Sequence, residues 1–535
     1  MSPDWPRLPD EDLRSYRNQG FREERTLSLL LREQAAARSG ATALVSRSGR
    51  LTYAELDARV DRLAHGLSGL PVRAGERVLV RLPNREEYVV TLFALLRIGA
   101  VPVLALPSLG PAEVESLAET SGACALVVAD RYGRTDPREE AARIAERLPR
   151  VRHVLVAGDP GEAPARSLAS LDPGTAPRRE EAAHPEDLAL LLLSGGTTGT
   201  PKLIPRTHAD YGYNARASAQ ACGTGPDTVY LAVLPVAHNF TMVSPGIVGV
   251  LAAGGTVVLC PDPSPTTAFP LIARERVTLT SLVPALVPSW LEEAGRTRED
   301  LSPLRTLQVG GARLDEGTAR RIGPELGCRL QQVFGMAEGL NSYTALDAPE
   351  ETVCTTQGRP LSPADEVLVV DESGEPVPPG TAGELLTRGP YTLRGYYRAR
   401  ELDALRFTPD GFYRTGDLVL RTPEGDLVVV GRIKDQVNRA GEKIAAVEVE
   451  EHLLSLPGVR SAALVGVPDP HLGERSIAFL TAEGPAPSRE EVRAALLRRG
   501  AAPFKVPDEV RSIPALPLTG AGKVDKRRLR EMSTG

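Results

Sequence analysis

Lysine is nearly missing from this 535-residue chain. Six occur, Lys202, Lys434, Lys443, Lys505, Lys523 and Lys526, against 57 arginines. Positions that need only a positive charge have been filled with arginine. A lysine kept against that bias marks a place where a compact charge on a flexible stem serves and a planar fork does not. Lys202, Lys434, Lys443 and Lys523 each lie in a glycine-containing segment, whereas Lys505 and Lys526 read as chance retention. Cysteine is also sparse. Cys124, Cys222, Cys260, Cys328 and Cys354 are odd in number, scattered and without CxxC spacing. That excludes a disulfide framework and a zinc site, and predicts reduced thiols in a cytoplasmic setting. Net charge is −6, so no basic field calls for nucleic acid. No apolar run approaches a membrane span, and the polar N-terminus with Pro3, Pro6 and Pro9 has no signal-peptide core. Neither nucleic acid nor membrane is therefore expected as a partner.

What is present is a chain too long for one core, with the ordinary apolar and charged fractions of a globular protein. Thr52 and Glu55 form a capping box, followed by Leu56, Val60, Leu63 and Leu67 at helical spacing. Apolar runs at 77–82, 101–105, 124–129 and 153–157 alternate with helical stretches such as 85–98, the order of a parallel, helix-covered sheet. A second series at 229–235, 256–260, 279–283, 304–311 and 330–335 predicts another sheet of the same kind. Runs at 367–371 and 384–387 are more β-rich, and the last hundred residues suit a small α+β domain. The chain thus reads as α/β. A large N-terminal domain, residues 1–430, has two helix-covered sheets and a β-rich subdomain, and a small mobile C-terminal domain follows at 431–535.

The organising stretch is Ser194-Gly195-Gly196-Thr197-Thr198-Gly199-Thr200-Pro201-Lys202, directly after the apolar strand 188–193. Its glycines let backbone N–H groups approach an anion, its hydroxyls donate, and Lys202 adds a charge, which points to phosphate. It is not a Walker A loop, because Pro201 separates the small residues from Lys202. A flexible surface loop is the bland alternative. Four further segments carry chemistry. Glu338 follows the strand ending at Gly335, where open α/β sheets bind ligands, and a carboxylate near a triphosphate suits Mg²⁺. Asp417, in Tyr413-Arg414-Thr415-Gly416-Asp417, reads as a turn-borne acceptor for ribose hydroxyls, although the same residues are ordinary turn chemistry. The charged residues of 431–443 between glycines suit a hinge or a plain linker. Lys523, on a glycine-rich loop near the C-terminus, reads as a reaching charge or as part of a frayed tail.

Together these segments resemble the adenylate-forming superfamily of acyl- and aryl-CoA ligases, luciferases and peptide-synthetase adenylation domains. The resemblance covers nearly the whole chain, with the motifs in the family's order. It implies that Ser194 to Gly199 and Lys202 hold phosphates. Gly310, Gly311, Ala312, Arg313 and Gln332, Val333, Phe334, Gly335 would contact adenine. Glu338 would bind Mg²⁺, although Ala337 stands where a hydroxyl residue is usual. Asp417 and Arg432 would hold ribose, Lys434 would be the hinge, and Lys523 the catalytic lysine.

Within that superfamily the phrases Lys202–His208, Val333–Leu340, Gly389–Tyr397 and Asp435–Lys443 are similar to aryl-acid AMP ligases of siderophore assembly, which activate 2,3-dihydroxybenzoate or salicylate. The resemblance places Ala237-His238-Asn239-Phe240 at the aryl acid, with His238 counted in the catalytic set. Asn239 would bond the carboxylate or an ortho hydroxyl, and Phe240 would stack on the ring. Ser244, Gly310, Met336, Ala337 and Asn341 would complete the pocket, with Gly441 and Lys443 beside the thiol channel. Ser244 leans towards a polar meta substituent. Thr241-Met242-Val243 departs from the usual Pro-Leu run, and Asn341 from an apolar Val or Leu. A buried amide needs partners. The expectation is therefore a ring carrying an extra polar atom, as in a hydroxyanthranilate or 3-hydroxypicolinate. The implied reaction joins the acid to ATP as aryl-AMP, then transfers the acyl group to a phosphopantetheine thiol. With no carrier segment after Lys523, the acceptor is expected to be a separate aryl carrier protein or, alternatively, free CoA. A non-catalytic nucleotide-binding relative is the third reading.

Overall fold

In the computed structural model, residues 4–162, 164–176, 182–193, 202–440, 442–499, 501–520 and 522–533 are described. Two large sheets form the body. The first has seven strands, in the order Arg166–Ser167, His153–Ala157, Ala125–Ala129, Arg77–Arg81, Val101–Leu104, Leu188–Leu193 and Leu203–Thr207. All its pairings are parallel except the last. Its central strands are buried along their whole length, as expected when helices cover both faces.

The second sheet has nine strands, in the order Arg359–Pro360, Asn341–Tyr343, Arg329–Gly335, Thr306–Gly310, Leu279–Leu282, Val229–Ala232, Thr256–Leu259, Thr42–Ser46 and Gly49–Thr52. Its middle is parallel and its edges antiparallel. The N-terminal hairpin, with Leu44 paired to Val257, is a member the apolar runs did not reveal. The capping box at Thr52 and Glu55 opens the helix Tyr53–Gly69 as expected. That helix, with Leu27–Ala37 and Glu86–Arg97, sits in a core containing Val78 and Val127 of the first sheet and Ala232 and Val257 of the second. The two sheets are thereby cemented through shared helices.

A four-stranded antiparallel sheet follows, formed by Glu366–Val370, Gly383–Arg388, Tyr413–Arg421 and Leu427–Arg432. The last strand runs two residues past the expected cut at 430, so the small domain's own sheet begins at Val437–Arg439. That sheet packs the helices Ala446–Leu454 and Arg489–Arg498 over the strands Val459–Asp469 and Gly473–Ala482. Asp417 is not turn-borne. It lies within Tyr413–Arg421, opposite Arg432 on the neighbouring strand, with Gly416 at φ +71° beside it.

Candidate active site

The candidate residues gather where the parallel strands of the second sheet end, at Gly310–Ala312 and Gly335–Glu338. Lys523 arrives there from the small domain. It sits on a tight hairpin closed by a Leu518–Val524 bridge, in which the Thr519 N–H donates to the Lys523 carbonyl at 2.7 Å and the Lys523 N–H donates to Thr519 Oγ1 at 3.2 Å. The hairpin is wedged between the sheets. A Cβ on Gly520 would overlap Ser108, which follows the strand Val101–Leu104, and a Cβ on Gly311 would stand 3.4 Å from Lys523 Cε. Burial first, then the Arg432 cation, push the Lys523 ammonium down to about 8, while Asp417 and Glu338 oppose them. Lys523 thus lies within electrostatic reach of Arg432, Asp417, Glu338 and Lys434.

Those groups are built in. Arg432 Nε lies 2.6 Å from Asp417 Oδ1, and the Asp417 N–H donates to Thr415 Oγ1 at 3.0 Å. Burial raises the Asp417 carboxyl despite the Arg432 charge. Lys434, in the short turn Ile433–Asp435, is depressed by burial and then by Arg432. Glu338 is 9% exposed and accepts the Tyr396 hydroxyl at 3.0 Å, and Tyr396 meets the Tyr413 hydroxyl at 3.1 Å. Lys202 stands over the Tyr396 ring, 5.4 Å from its centre, with its ammonium depressed by burial and then by Arg406. Tyr396 therefore couples the expected phosphate lysine to the expected metal carboxylate. The phrase Gly389–Tyr397 was a sequence signal for it, but its role was not.

A single buried carboxylate with a fixed donor fits a hard cation whose other ligands come from phosphates and water. Among the described residues no cluster of three metal-binding side chains exists to hold one alone. Ser194, Gly195, Gly196, Thr197, Thr198 and Gly199, and also Gly441, lie outside the described residues.

The pocket side is amide-lined. His238 caps the short helix Asn239–Val243, its Nδ1 accepting the Phe240 N–H at 3.3 Å. Burial, then the Lys523 cation, push its imidazole down to about 4, so it is neutral at working pH. Asn239 Oδ1 accepts the Tyr211 hydroxyl at 2.9 Å, which leaves Nδ2 as the group to offer. The Phe240 ring packs against Gly310. Arg206 donates to the Ala337 carbonyl at 3.0 Å and pairs with Asp210 at 3.0 Å, fixing the loop that carries Met336, Ala337 and Glu338.

Two expectations need correction. Gln332 faces away from the cleft, since its Nε2 donates to the Val353 carbonyl at 2.7 Å and its Oε1 accepts from Gln357 at 3.1 Å. Val333 is likewise buried in the core between Gly310 and Tyr343. The Asn341 amide finds one of its partners within the protein, its Nδ2 donating to Asn214 Oδ1 at 2.8 Å. Lys443 pairs with Glu372 of the β-rich subdomain in this arrangement. Arg313 makes an unforeseen link, reaching Glu451 of the small domain at 2.8 Å.

Residues 31–397 match the model of the AMP-binding enzyme family, and residues 448–523 match the AMP-binding enzyme C-terminal domain. The chain belongs to the AMP-binding enzyme family. It is 49% identical to a 2,3-dihydroxybenzoate-AMP ligase of Bacillus subtilis, over 98% of this chain and 96% of that one. It is 48% identical to the salicyl-AMP ligase / salicyl-S-ArCP synthetase of Mycobacterium tuberculosis, over 98% of this chain and 93% of that one. Among solved structures, the apo structure of MbtA from Mycobacterium smegmatis superposes with a TM-score of 0.77 at 47% identity, covering 99% of this chain and 98% of that one. No helix among the described residues is long and apolar enough to cross a membrane.

Proposed function

We propose that this enzyme joins an aryl carboxylic acid of the 2-hydroxybenzoate type, such as 2,3-dihydroxybenzoate or an amino or aza analogue, to ATP, giving aryl-AMP and pyrophosphate. It then passes the acyl group to a phosphopantetheine thiol on an aryl carrier protein, as in siderophore or nonribosomal peptide assembly. The observation that carries the reading is Lys523 seated over Gly311, within reach of both the Asp417–Arg432 pair and His238. The relatives that span the chain, named for the AMP ligation of aryl acids, support it.

The acid's carboxylate attacks the α-phosphate in line, and the protein's work is positioning and charge stabilisation. Lys523 bridges the incoming carboxylate and the α-phosphate as negative charge gathers. Asp417 accepts from the ribose, while Lys202 holds the leaving phosphates with the Ser194–Gly199 loop. Glu338, oriented by Tyr396, would hold Mg²⁺, which supplies charge neutralisation on the phosphates. Asn239 Nδ2 donates to the acid's carboxylate or ortho hydroxyl, and neutral His238 borders Lys523 without competing for its proton. The small domain then turns about Lys434, removing Lys523 and clearing a path, beside Gly441 and Lys443, for the thiol.

ATP–pyrophosphate exchange across a panel of aryl acids tests the first step, and absence of exchange with every aryl acid overturns it. Supplying either a pantetheinylated carrier protein or CoA to the preformed adenylate identifies the acceptor. Faster transfer to CoA would make the enzyme an aryl-CoA ligase instead.

A further inference from the structure

We infer that Asn214 locks the Asn341 carboxamide with its oxygen over Gly335, and that this oxygen selects an aryl acid bearing an N–H donor on the ring edge that meets it. The inference rests on the aryl-acid reading and narrows it.

Asn341 pairs with Gly335, and Tyr343 with Val333, on adjacent antiparallel strands. Residues two apart on a strand share a face, so Asn341 and Tyr343 look the same way. Both meet the helix His208–Ala221. Tyr343 donates its phenol proton to Ser218 Oγ at 2.9 Å. Ser218, having accepted that proton, donates its own to Asn214 Oδ1 at 3.2 Å. Asn214 must therefore show its oxygen, and Asn341 answers with nitrogen, Nδ2 donating to the same Oδ1 at 2.8 Å. The backbone of Asn341 is pinned too. Its N–H donates to the Tyr391 hydroxyl at 3.1 Å, which donates to Asp365 at 2.8 Å.

With Nδ2 committed, Asn341 Oδ1 lies over Gly335, where any Cβ would overlap it. Gly335 is exposed at the carboxyl end of its strand. The group offered there is an acceptor. A ring amino group satisfies it, whereas a ring nitrogen would set lone pair against lone pair. Of the two ring chemistries that Asn341 suggests in the sequence, the geometry points to the amino-substituted one. Asn214 touches no substrate in this scheme and is a positioning residue.

The test is ATP–pyrophosphate exchange with 2-hydroxybenzoate, its ring-amino isomers and its ring-aza analogues, on the full-length enzyme and on Asn214→Leu, Asn214→Asp and Ser218→Ala. An amino isomer is expected to have the highest kcat/KM. Asn214→Leu should cut its advantage over the aza analogue by roughly tenfold, mainly through KM. Asn214→Asp keeps the acceptor and should keep the preference. Ser218→Ala, a gentler change that frees the Asn214 amide to turn, should erode it even if Asn214→Leu fails to fold. Preference of the unmodified enzyme for the aza or unsubstituted acid overturns the inference and leaves aryl activation intact. So does an equal loss on all acids in the variants. No exchange with any aryl acid overturns the underlying reading as well.

Discussion

Arg313 and Glu451 meet at 2.8 Å across the seam between the large domain and the helix Ala446–Leu454 of the small one. Arg313 also donates to the Val429 carbonyl at 3.1 Å, so it is braced on the large-domain side. Lys443 with Glu372 makes a second bridge over the same seam. Both pairs belong to the arrangement in which Lys523 is docked. Glu451→Gln should therefore slow aryl-AMP formation about fivefold, the worth of one partly exposed pair. Transfer from supplied aryl-AMP should be unchanged. Single-turnover measurement of each half-reaction checks this, and equal slowing of both would refute it.

Lys523→Ala should abolish adenylation and spare transfer from supplied aryl-AMP. The depressed ammonium adds a pH signature. Its charge is complete below about 8 and lost as pH rises through that value. Adenylation kcat/KM, followed between about pH 6 and pH 10, should accordingly fall on the alkaline side. Lys523→Arg should remove that limb at reduced rate. His238, pushed down to about 4, should contribute no limb in this range.

Tyr396→Phe removes the hydroxyl that orients Glu338. The ring under Lys202 remains. The Mg²⁺ concentration for half-maximal exchange should rise roughly tenfold, the usual scale for losing a partner of a metal ligand. The KM for the aryl acid should move little. A magnesium titration at saturating acid and ATP separates these outcomes.

Gly335→Ala puts a methyl group into the Asn341 oxygen. Overpacking of this kind costs about 1–3 kcal/mol, so the melting temperature should drop. Asn341→Ala in the same chain should recover most of the loss. A thermal double-mutant cycle measures the coupling, and simple additivity would show that the two side chains do not compete.

The order of elements was readable because buried parallel strands are continuous apolar runs, and the runs at 153–157 and 330–335 lie within or one residue from the strands His153–Ala157 and Arg329–Gly335. The hairpin at Thr42–Thr52 escaped notice because it is short, with half of its second strand exposed. Scarcity against arginine and flanking glycines singled out Lys202, Lys434, Lys443 and Lys523, and the fold sets Lys523 beside Arg432, Asp417, Glu338 and Lys434. What Gln332 and Asn341 touch was not readable. Both are polar residues in apolar surroundings, and only the fold shows that Gln357 and Asn214, distant in sequence, complete their hydrogen bonds. The Arg313–Glu451 link was hidden for the same reason, since it joins two domains that the linear order keeps apart.

The placement of Thr42–Ser46 against Thr256–Leu259 has a consequence for biosynthesis. The seven-stranded sheet has all its strands once Thr207 has been made, whereas the earlier hairpin still lacks its neighbour, Thr256–Leu259. Translation at ~5–20 residues per second takes on the order of 10–40 s to cover the roughly two hundred residues between the two partners. During that interval Ala43, Leu44 and Val45, almost fully covered in the finished enzyme, stand on a strand with one side open. The vulnerable moment in making this enzyme therefore falls early, before Thr256–Leu259 has been made.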